Sequence, residues 1–358
     1  MATVSRIMAL RTLVFAGLLL QAGRSFADAV DNEIRSEMHK RHIPGLALAI
    51  VRNGKVIRSK GYGFANLELG IRATPDTVFS LHSVSKQFCA AGIMLLIRDG
   101  KIKLDDPVTR YFPECSPAWD AIQVRHLLNH TSGIPDYLNE DLKLPDAASD
   151  SAIPGAVSKL PLKFAPGSKF AYSNTGYLML ALMIHQLTGR PDPEFLRERI
   201  FKPLGMASSR TSSQADIIPR RAARYDWQNG HFVNGRPPST VPEIGDGGML
   251  STVLDLARWD AALYTDRILT AGEIRLMWTP GPYDEEEKAH YGFGFYLDSF
   301  NGHRRVWHYG AGFSGERSVI ARYVDDKVTV IILVNGGEPK LPALVNRIAA
   351  QFLNDRKR

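Results

Sequence analysis

Ser83 and Lys86 stand three residues apart at the head of an apolar segment. Positions i and i+3 of a helix share one face, so the Ser83 hydroxyl and the Lys86 amine can point into one site. A serine hydroxyl is a poor nucleophile until a neighbour takes its proton, and a desolvated lysine can do so. Tyr172-Ser173-Asn174 adds a phenol as a second proton carrier, and His308-Tyr309-Gly310 adds a strand edge against which a substrate can lie. The chemistry these residues suit is acyl transfer through a covalent serine adduct, which makes the chain a candidate serine hydrolase.

Each pattern is short enough to recur by chance, and this chain shows it. Tyr137-Leu138-Asn139 repeats the Y-x-N spacing and His290-Tyr291-Gly292 repeats H-x-G, so placement has to choose between the copies. Ser83 opens a helix expected over Val84–Arg98, with Phe88, Ile93, Leu95 and Leu96 on its buried face and Gly100 as its stop. The N–H groups and dipole of a helix start favour a developing oxyanion. The competing structural reading makes Ser83 a helix cap and Lys86 a solvated charge. Tyr172 follows Ala165-Pro166-Gly167-Ser168 on a loop opening a helix, a more usual place for a catalytic group than the irregular stretch around Tyr137. His308 ends a strand and runs into Gly310-Ala311-Gly312, whose small residues let a substrate backbone approach and expose N–H donors. Tyr291 instead opens the aromatic run Gly292-Phe293-Gly294-Phe295-Tyr296, which suits core packing.

These motifs need a scaffold that brings distant segments together. Asp31–His42 reads as a helix ended by Pro44-Gly45, and Leu46–Val51 and Val56–Tyr62 flank Asn53-Gly54, a strong hairpin signal. Further strands are expected at Tyr291–Leu297, Arg305–Tyr309, Ser318–Tyr323 and Val328–Val334, then a helix over Leu341–Leu353. Helical stretches at Tyr177–Leu187, Pro193–Phe201 and Val253–Leu263 occupy the middle, and residues 137–168 resist assignment and suit a loop beside the cleft. The expected fold is α+β: one antiparallel sheet built from both chain ends (about 28–74 and 265–358), covered by the terminal helices, with a mainly helical lobe (about 75–264) inserted. Residues 28–358 then form a single catalytic domain with its site at the seam.

Residues 1–27 are set apart. Arg6 and Arg11 precede the run Leu13–Leu20, and Ser25-Phe26-Ala27 resembles a cleavage site, the layout of a secretory signal peptide cut after Ala27. The run is too short to span a bilayer, so no membrane anchor is expected after cleavage, and the mature chain belongs in the periplasm or outside the cell. Cleavage removes three arginines and no acid, taking the formal charge from +7 to +4. With no basic block or interleaved aromatics, nucleic acid is not an expected partner. Cys89 and Cys115 could pair in an oxidising compartment, or Cys89 could be a buried free thiol in its apolar helix. No G-x-S-x-G, H-E-x-x-H, C-x-x-C or phosphate-cradling G-x-x-x-x-G-K occurs, and His39 and His42 lack a third ligand; no metal or other cofactor is expected.

Together the motifs resemble the serine β-lactamase and penicillin-binding protein superfamily, in its class C β-lactamase-like branch of esterases and D-amino-acid peptidases. Leu127-Leu128-Asn129-His130-Thr131-Ser132-Gly133-Ile134-Pro135, Pro203-Leu204-Gly205-Met206 and Gly247-Gly248-Met249-Leu250-Ser251 extend the resemblance along the mature chain. It implies Ser83 as acylated nucleophile, Lys86 as its base partner and Tyr172 as sharer of proton transfer, the last two titrating as a coupled pair. It further implies Asn174 as donor or acceptor to the substrate's acyl-side amide, His308, Gly310 and Ala311 as a substrate-binding edge, and the Ser83 and Ala311 N–H groups as the oxyanion hole. Relatives that are β-lactamases carry K-T-G where this chain has His308-Tyr309-Gly310. A neutral histidine and a bulky tyrosine there suit an ester or small peptide substrate better than a β-lactam carboxylate. The alternatives are a class C-like β-lactamase or D-alanyl-D-alanine carboxypeptidase, and a silent penicillin-binding or scaffold homologue.

Overall fold

The computed structural model describes residues 28–138, 152–213, 215–236, 245–282 and 290–353. The expected signal peptide lies outside the described residues, as do residues 139–151 of the stretch left unassigned above.

In chain order the strands are Gly45–Arg52 (β1), Lys55–Asn66 (β2), Ile71–Arg72 (β3), Phe79–Ser80 (β4), Arg210–Thr211 (β5), Tyr225–Gln228 (β6), His231–Asn234 (β7), Met249–Ser251 (β8), Tyr296–Phe300 (β9), His303–Ala311 (β10), Glu316–Tyr323 (β11) and Val328–Asn335 (β12). The helices are residues 28–40 (α1), Lys86–Arg98 (α2), Val124–Leu128 (α3), Ala152–Val157 (α4), Asn174–Thr188 (α5), Asp192–Leu196 (α6), Lys202–Leu204 (α7), Val253–Ala262 (α8), Ala271–Met277 (α9) and Leu341–Ala349 (α10).

Seven strands form one antiparallel sheet in the order β3-β2-β1-β12-β11-β10-β9, which joins the two ends of the chain as expected. The join is β1 against β12, Leu46 opposite Val334 through Arg52 opposite Val328. Both strands are apolar runs buried on both faces, and residue parity sorts their side chains. Leu46, Leu48, Ile50, Val330, Ile332 and Val334 face Val30 and Ile34 of α1 and Leu344 and Ile348 of α10. Ala47, Ala49, Val51, Ile331 and Leu333 face the helical lobe, where the small alanines admit α8 against the sheet. Each buried Val, Leu or Ile contributes about 1.5–3 kcal/mol. Asn53 (φ 51°) and Gly54 (φ 73°) both adopt left-handed backbone between β1 and β2, the two-residue turn that Asn-Gly favours.

In the lobe, α2 and α5 are buried along most of their length and pack together, with Gly92 giving close passage to Ile184 and Leu196. Lys86 and Asn174 are the first residues of these two helices, so the packing sets one beside the other. Two expectations shift. The turn His82–Ser85 is 3₁₀, so the α-helix starts at Lys86 and not ahead of it. Residues 291–295 are not a strand: Gly294 takes left-handed backbone (φ 82°), and a Cβ there or at Gly292 would meet the Lys86 or the Met277 carbonyl. Cys89 and Cys115 are both buried free thiols.

A buried ion pair ties the lobe to the sheet. Arg322 of β11 and Asp260 of α8 are 0% and 1% exposed, with Nε 2.8 Å from Oδ1. Thr329 donates to the same carboxylate at 2.9 Å, and Arg322 Nη1 reaches Gln87 Oε1 at 3.3 Å. Removing one partner strands the other charge in a water-poor interior. Asp260→Ala is therefore expected to cost about 3–5 kcal/mol by urea denaturation. Replacing both partners by apolar residues of similar size should restore most of that loss; a loss under about 1 kcal/mol for the single variant would contradict the charge argument.

Candidate active site

Ser83 lies in the one-turn helix His82–Ser85, and its neighbours hold that turn from both sides. The Leu81 N–H donates to Met249 O (2.8 Å), the Met249 N–H donates to Ser85 Oγ (3.2 Å), and Ser318 Oγ donates to Leu81 O. β8 from the lobe and β11 from the sheet thus clamp the Ser83 turn between them.

Lys86 is fully buried. Its Nζ lies 3.3 Å from Ser83 Oγ, 2.8 Å from Asn174 Oδ1 and 2.6 Å from the Asp246 carbonyl oxygen. The reading of Lys86 as a solvated surface charge therefore fails. Asn174 in turn donates from Nδ2 to Asp136 Oδ2 at 2.9 Å, which fixes the orientation of its amide. Both ends of that amide are engaged within the protein, so the expected bond to a substrate amide would draw on a group Asp136 already holds. Tyr172 places its ring face 4.9 Å from Lys86 Nζ. Its hydroxyl is buried without a hydrogen bond of ordinary geometry among the described residues, and burial pushes it well above the usual phenol range, with Ser83 exerting a lowering influence. At rest Tyr172 is a neutral phenol.

His308 does not face solvent; it is 0% exposed. Its Nδ1 lies 2.7 Å from Tyr309 O, which can only accept, so Nδ1 carries the proton and Nε2 accepts from the Tyr291 hydroxyl at 2.8 Å. Burial, reinforced by the charge of Lys86, depresses it to about 3, so the ring is neutral. What β10 offers a ligand is its backbone and the half-exposed Tyr309 ring, with Ala311 exposed at its end. Gly310 is required there: a Cβ would run into the Leu81 carbonyl and stand 3.0 Å from His82 Cβ. The sheet end that carries Gly310 and Ala311 is thereby seated on the Ser83 turn.

Several groups at the site were not among the predicted site residues, though His130 lies in a motif quoted above. His130 stacks on Tyr172 (4.2 Å) and Tyr291 (4.6 Å), and its Nδ1 accepts from the Ser173 N–H. Tyr137 donates to Asp246 Oδ2 at 2.8 Å. Tyr137 and Tyr291 belong to the duplicate Y-x-N and H-x-G patterns that placement had passed over, so each duplicate contributes a residue to the site without supplying its chemistry. Asp136 and Asp246 carried no usable signal: single aspartates beside glycine and proline look like turn residues.

Asp192, at the start of α6, adds a second carboxyl near Asp246. It is buried, with Oδ1 lacking a hydrogen bond among the described residues. Burial first, and the charge of Asp246 second, raise it from 3.8 to about 7. The folded chain therefore keeps a proton that the unfolded chain releases near pH 4, and stability falls as pH rises from about 4 to about 7. Relative to the wild type, Asp192→Asn is expected to gain stability across that window with a slope of up to roughly 1.4 kcal/mol per pH unit. Urea midpoints measured from pH 4 to 8 check this, and parallel profiles for the two proteins would contradict it.

With the geometry in place, comparison with known proteins is informative. The chain is 29% identical over 317 residues to penicillin-binding protein 4* of Bacillus subtilis, covering 84% of this chain and 69% of that one. It is 25% identical over 338 residues to protein flp of Staphylococcus aureus, covering 92% and 67%. Among solved structures, an octameric penicillin-binding protein homologue from Pyrococcus abyssi superposes with a TM-score of 0.80 at 29% identity, covering 90% of this chain and 77% of that one. The D-amino acid amidase of Ochrobactrum anthropi, solved with D-phenylalanine, superposes at 0.77 with 25% identity, covering 91% and 98%. The Beta-lactamase family model matches residues 30–354, and the chain belongs to that family.

Proposed function

We propose that this protein is a serine hydrolase acting on an ester or a small amide or peptide through a Ser83 acyl-enzyme. The observation that carries the reading is the fully buried Lys86 amine, 3.3 Å from Ser83 Oγ and held by Asn174 and the Asp246 carbonyl. In its neutral form Lys86 takes the Ser83 proton as Oγ attacks the substrate carbonyl. The N–H groups of Ser83 and Ala311 stabilise the oxyanion. As the carbonyl re-forms, the leaving alcohol or amine departs with a proton supplied through Lys86 and Tyr172. Water then enters and attacks the acyl carbon as the same pair takes its proton; that proton passes to Ser83 Oγ as the Oγ–acyl bond breaks and the acid leaves. Tyr172 starts neutral, so its first service is to donate.

The neutral His308 bears on the substrate. With both ring nitrogens bonded inside the protein, His308 itself offers no cation to a substrate carboxylate. That favours esters and amides over β-lactams. The similarity to a D-amino acid amidase makes a D-amino acid amide the first amide to try. Export, with cleavage after Ala27, places the enzyme in the periplasm or outside the cell. Among the described residues no helix is long and apolar enough to cross a membrane.

The mature protein is expected to hydrolyse a short-chain p-nitrophenyl ester, with Ser83→Ala abolishing turnover. Equal rates in the two proteins would defeat the acyl-enzyme. Lys86→Met keeps much of the buried stem while removing the amine, and should slow acylation by roughly 10²–10⁴-fold in stopped-flow bursts. Acylation within a few-fold of the wild type would remove Lys86 from the proton path.

A further inference from the structure

His82, immediately before the nucleophile, has left-handed backbone (φ 47°). Such a conformation is costly for a residue with a Cβ and persists where the surroundings enforce it. The imidazole is only 12% exposed, and its Nε2 has no hydrogen bond among the described residues; Glu316 Oε1 lies 3.9 Å away. Burial, with the positive charges of Arg224, Arg317 and Lys86, depresses the ring to about 3, so it stays uncharged.

The ring fills the space beneath the segment that follows His308. A Cβ at Gly312 would stand 2.5 Å from His82 Nε2 and 2.7 Å from Glu316 Oε2, and one at Gly310 would stand 3.0 Å from His82 Cβ. The same segment is tied down from its far side. The Gly312 N–H donates to Glu316 O (2.8 Å), Arg317 donates to Gly312 O (2.8 Å), and Glu316, paired with Arg224 at 2.8 Å, accepts the Ser314 N–H. The loop is thus fixed to β11 on one side and rests on the His82 ring on the other.

We infer that His82 is a positioning residue for the oxyanion hole: its ring is the spacer that sets the Gly310–Gly312 segment, and with it the Ala311 N–H, relative to Ser83. This rests on the acyl-enzyme reading above. A glycine at position 82 would relax the backbone and leave the spacer out. The effect should fall on the tetrahedral state, where the oxyanion forms, more than on substrate binding.

Phenylboronic acid tests this without turnover. Ser83 Oγ adds to the trigonal boron, its proton passes to Lys86, and the tetrahedral boronate places an oxygen toward the oxyanion donors. By isothermal titration calorimetry, His82→Gly is expected to weaken boronate binding at least about tenfold. Gly312→Ala, whose Cβ meets the ring, should cost affinity in the wild type and distinctly less in the His82→Gly background. Wild-type-like affinity in His82→Gly, or equal cost of Gly312→Ala in both backgrounds, overturns the inference. So does a lowered melting temperature with unchanged affinity, the mark of a purely structural role. His82→Asn, which tolerates the same backbone but is shorter, substitutes if the glycine variant does not fold, with the same expected loss. A wild type that turns over the ester but ignores the mutations sinks this inference alone; a wild type with neither ester turnover nor boronate affinity sinks the acyl-enzyme reading.

Discussion

A lysine amine with no access to water governs the design of this protein. Lys86 Nζ is held by an amide oxygen from α5 and a main-chain oxygen next to β8, and the Ser83 hydroxyl lies 3.3 Å from it. A buried amine has to be ringed by oxygens, and those oxygens have to be fixed by other groups. Asp136 turns the Asn174 amide, and Tyr137 engages the Asp246 carboxylate. The helix packing of α2 on α5 follows from the same need, because it brings the first residue of each helix to one point.

The aromatic side of the site answers a different constraint. Tyr172, Tyr291, Tyr296, His130 and His308 form a packed wall in which centroid separations run from 4.2 to 6.4 Å. Both histidines in it are depressed by burial, and Lys86 adds to the effect in each. The wall therefore brings no second full charge beside the lysine. In the proposed mechanism that leaves Lys86 and Tyr172 to exchange a proton with Ser83. Dry surroundings strengthen the few electrostatic contacts that remain.

The sheet supplies the other half of the site and needs its own anchor. β10 brings Gly310 and Ala311 to the Ser83 turn because β11 hydrogen-bonds to it on one side and clamps Leu81 through Ser318. The Arg322–Asp260 pair, buried between β11 and α8, holds lobe and sheet in one register. Neither half holds the complete constellation. Ser83, Lys86, Tyr172 and Asn174 come from the lobe, and the Gly310–Ala311 edge comes from the sheet.

Local patterns in the chain determined much of this. The Asn53-Gly54 turn, the apolar runs of β1 and β12 and the helices around Leu95 and Ile184 follow from side-chain periodicity and turn chemistry, which act over a few residues. The Ser83–Lys86 spacing was legible for the same reason: one turn of helix fixes it. What the sequence could not decide was contact between segments far apart along it. Loop placement favoured Tyr172 over Tyr137 already in the sequence, but that Tyr137 bonds Asp246 depends on where two loops land. That His308 would be sealed behind Tyr291, and that Asn174 would face Lys86 and Asp136, also depends on packing across the seam. The strand expected at 291–297 holds only at 296–297, where β9 starts; Gly294, in left-handed backbone, leaves no room for a Cβ beside the Lys86 carbonyl, a closeness between residues about two hundred positions apart. Residue types set the available chemistry; only tertiary packing, by removing water and fixing neighbours, decided which groups carry charge and which way they point.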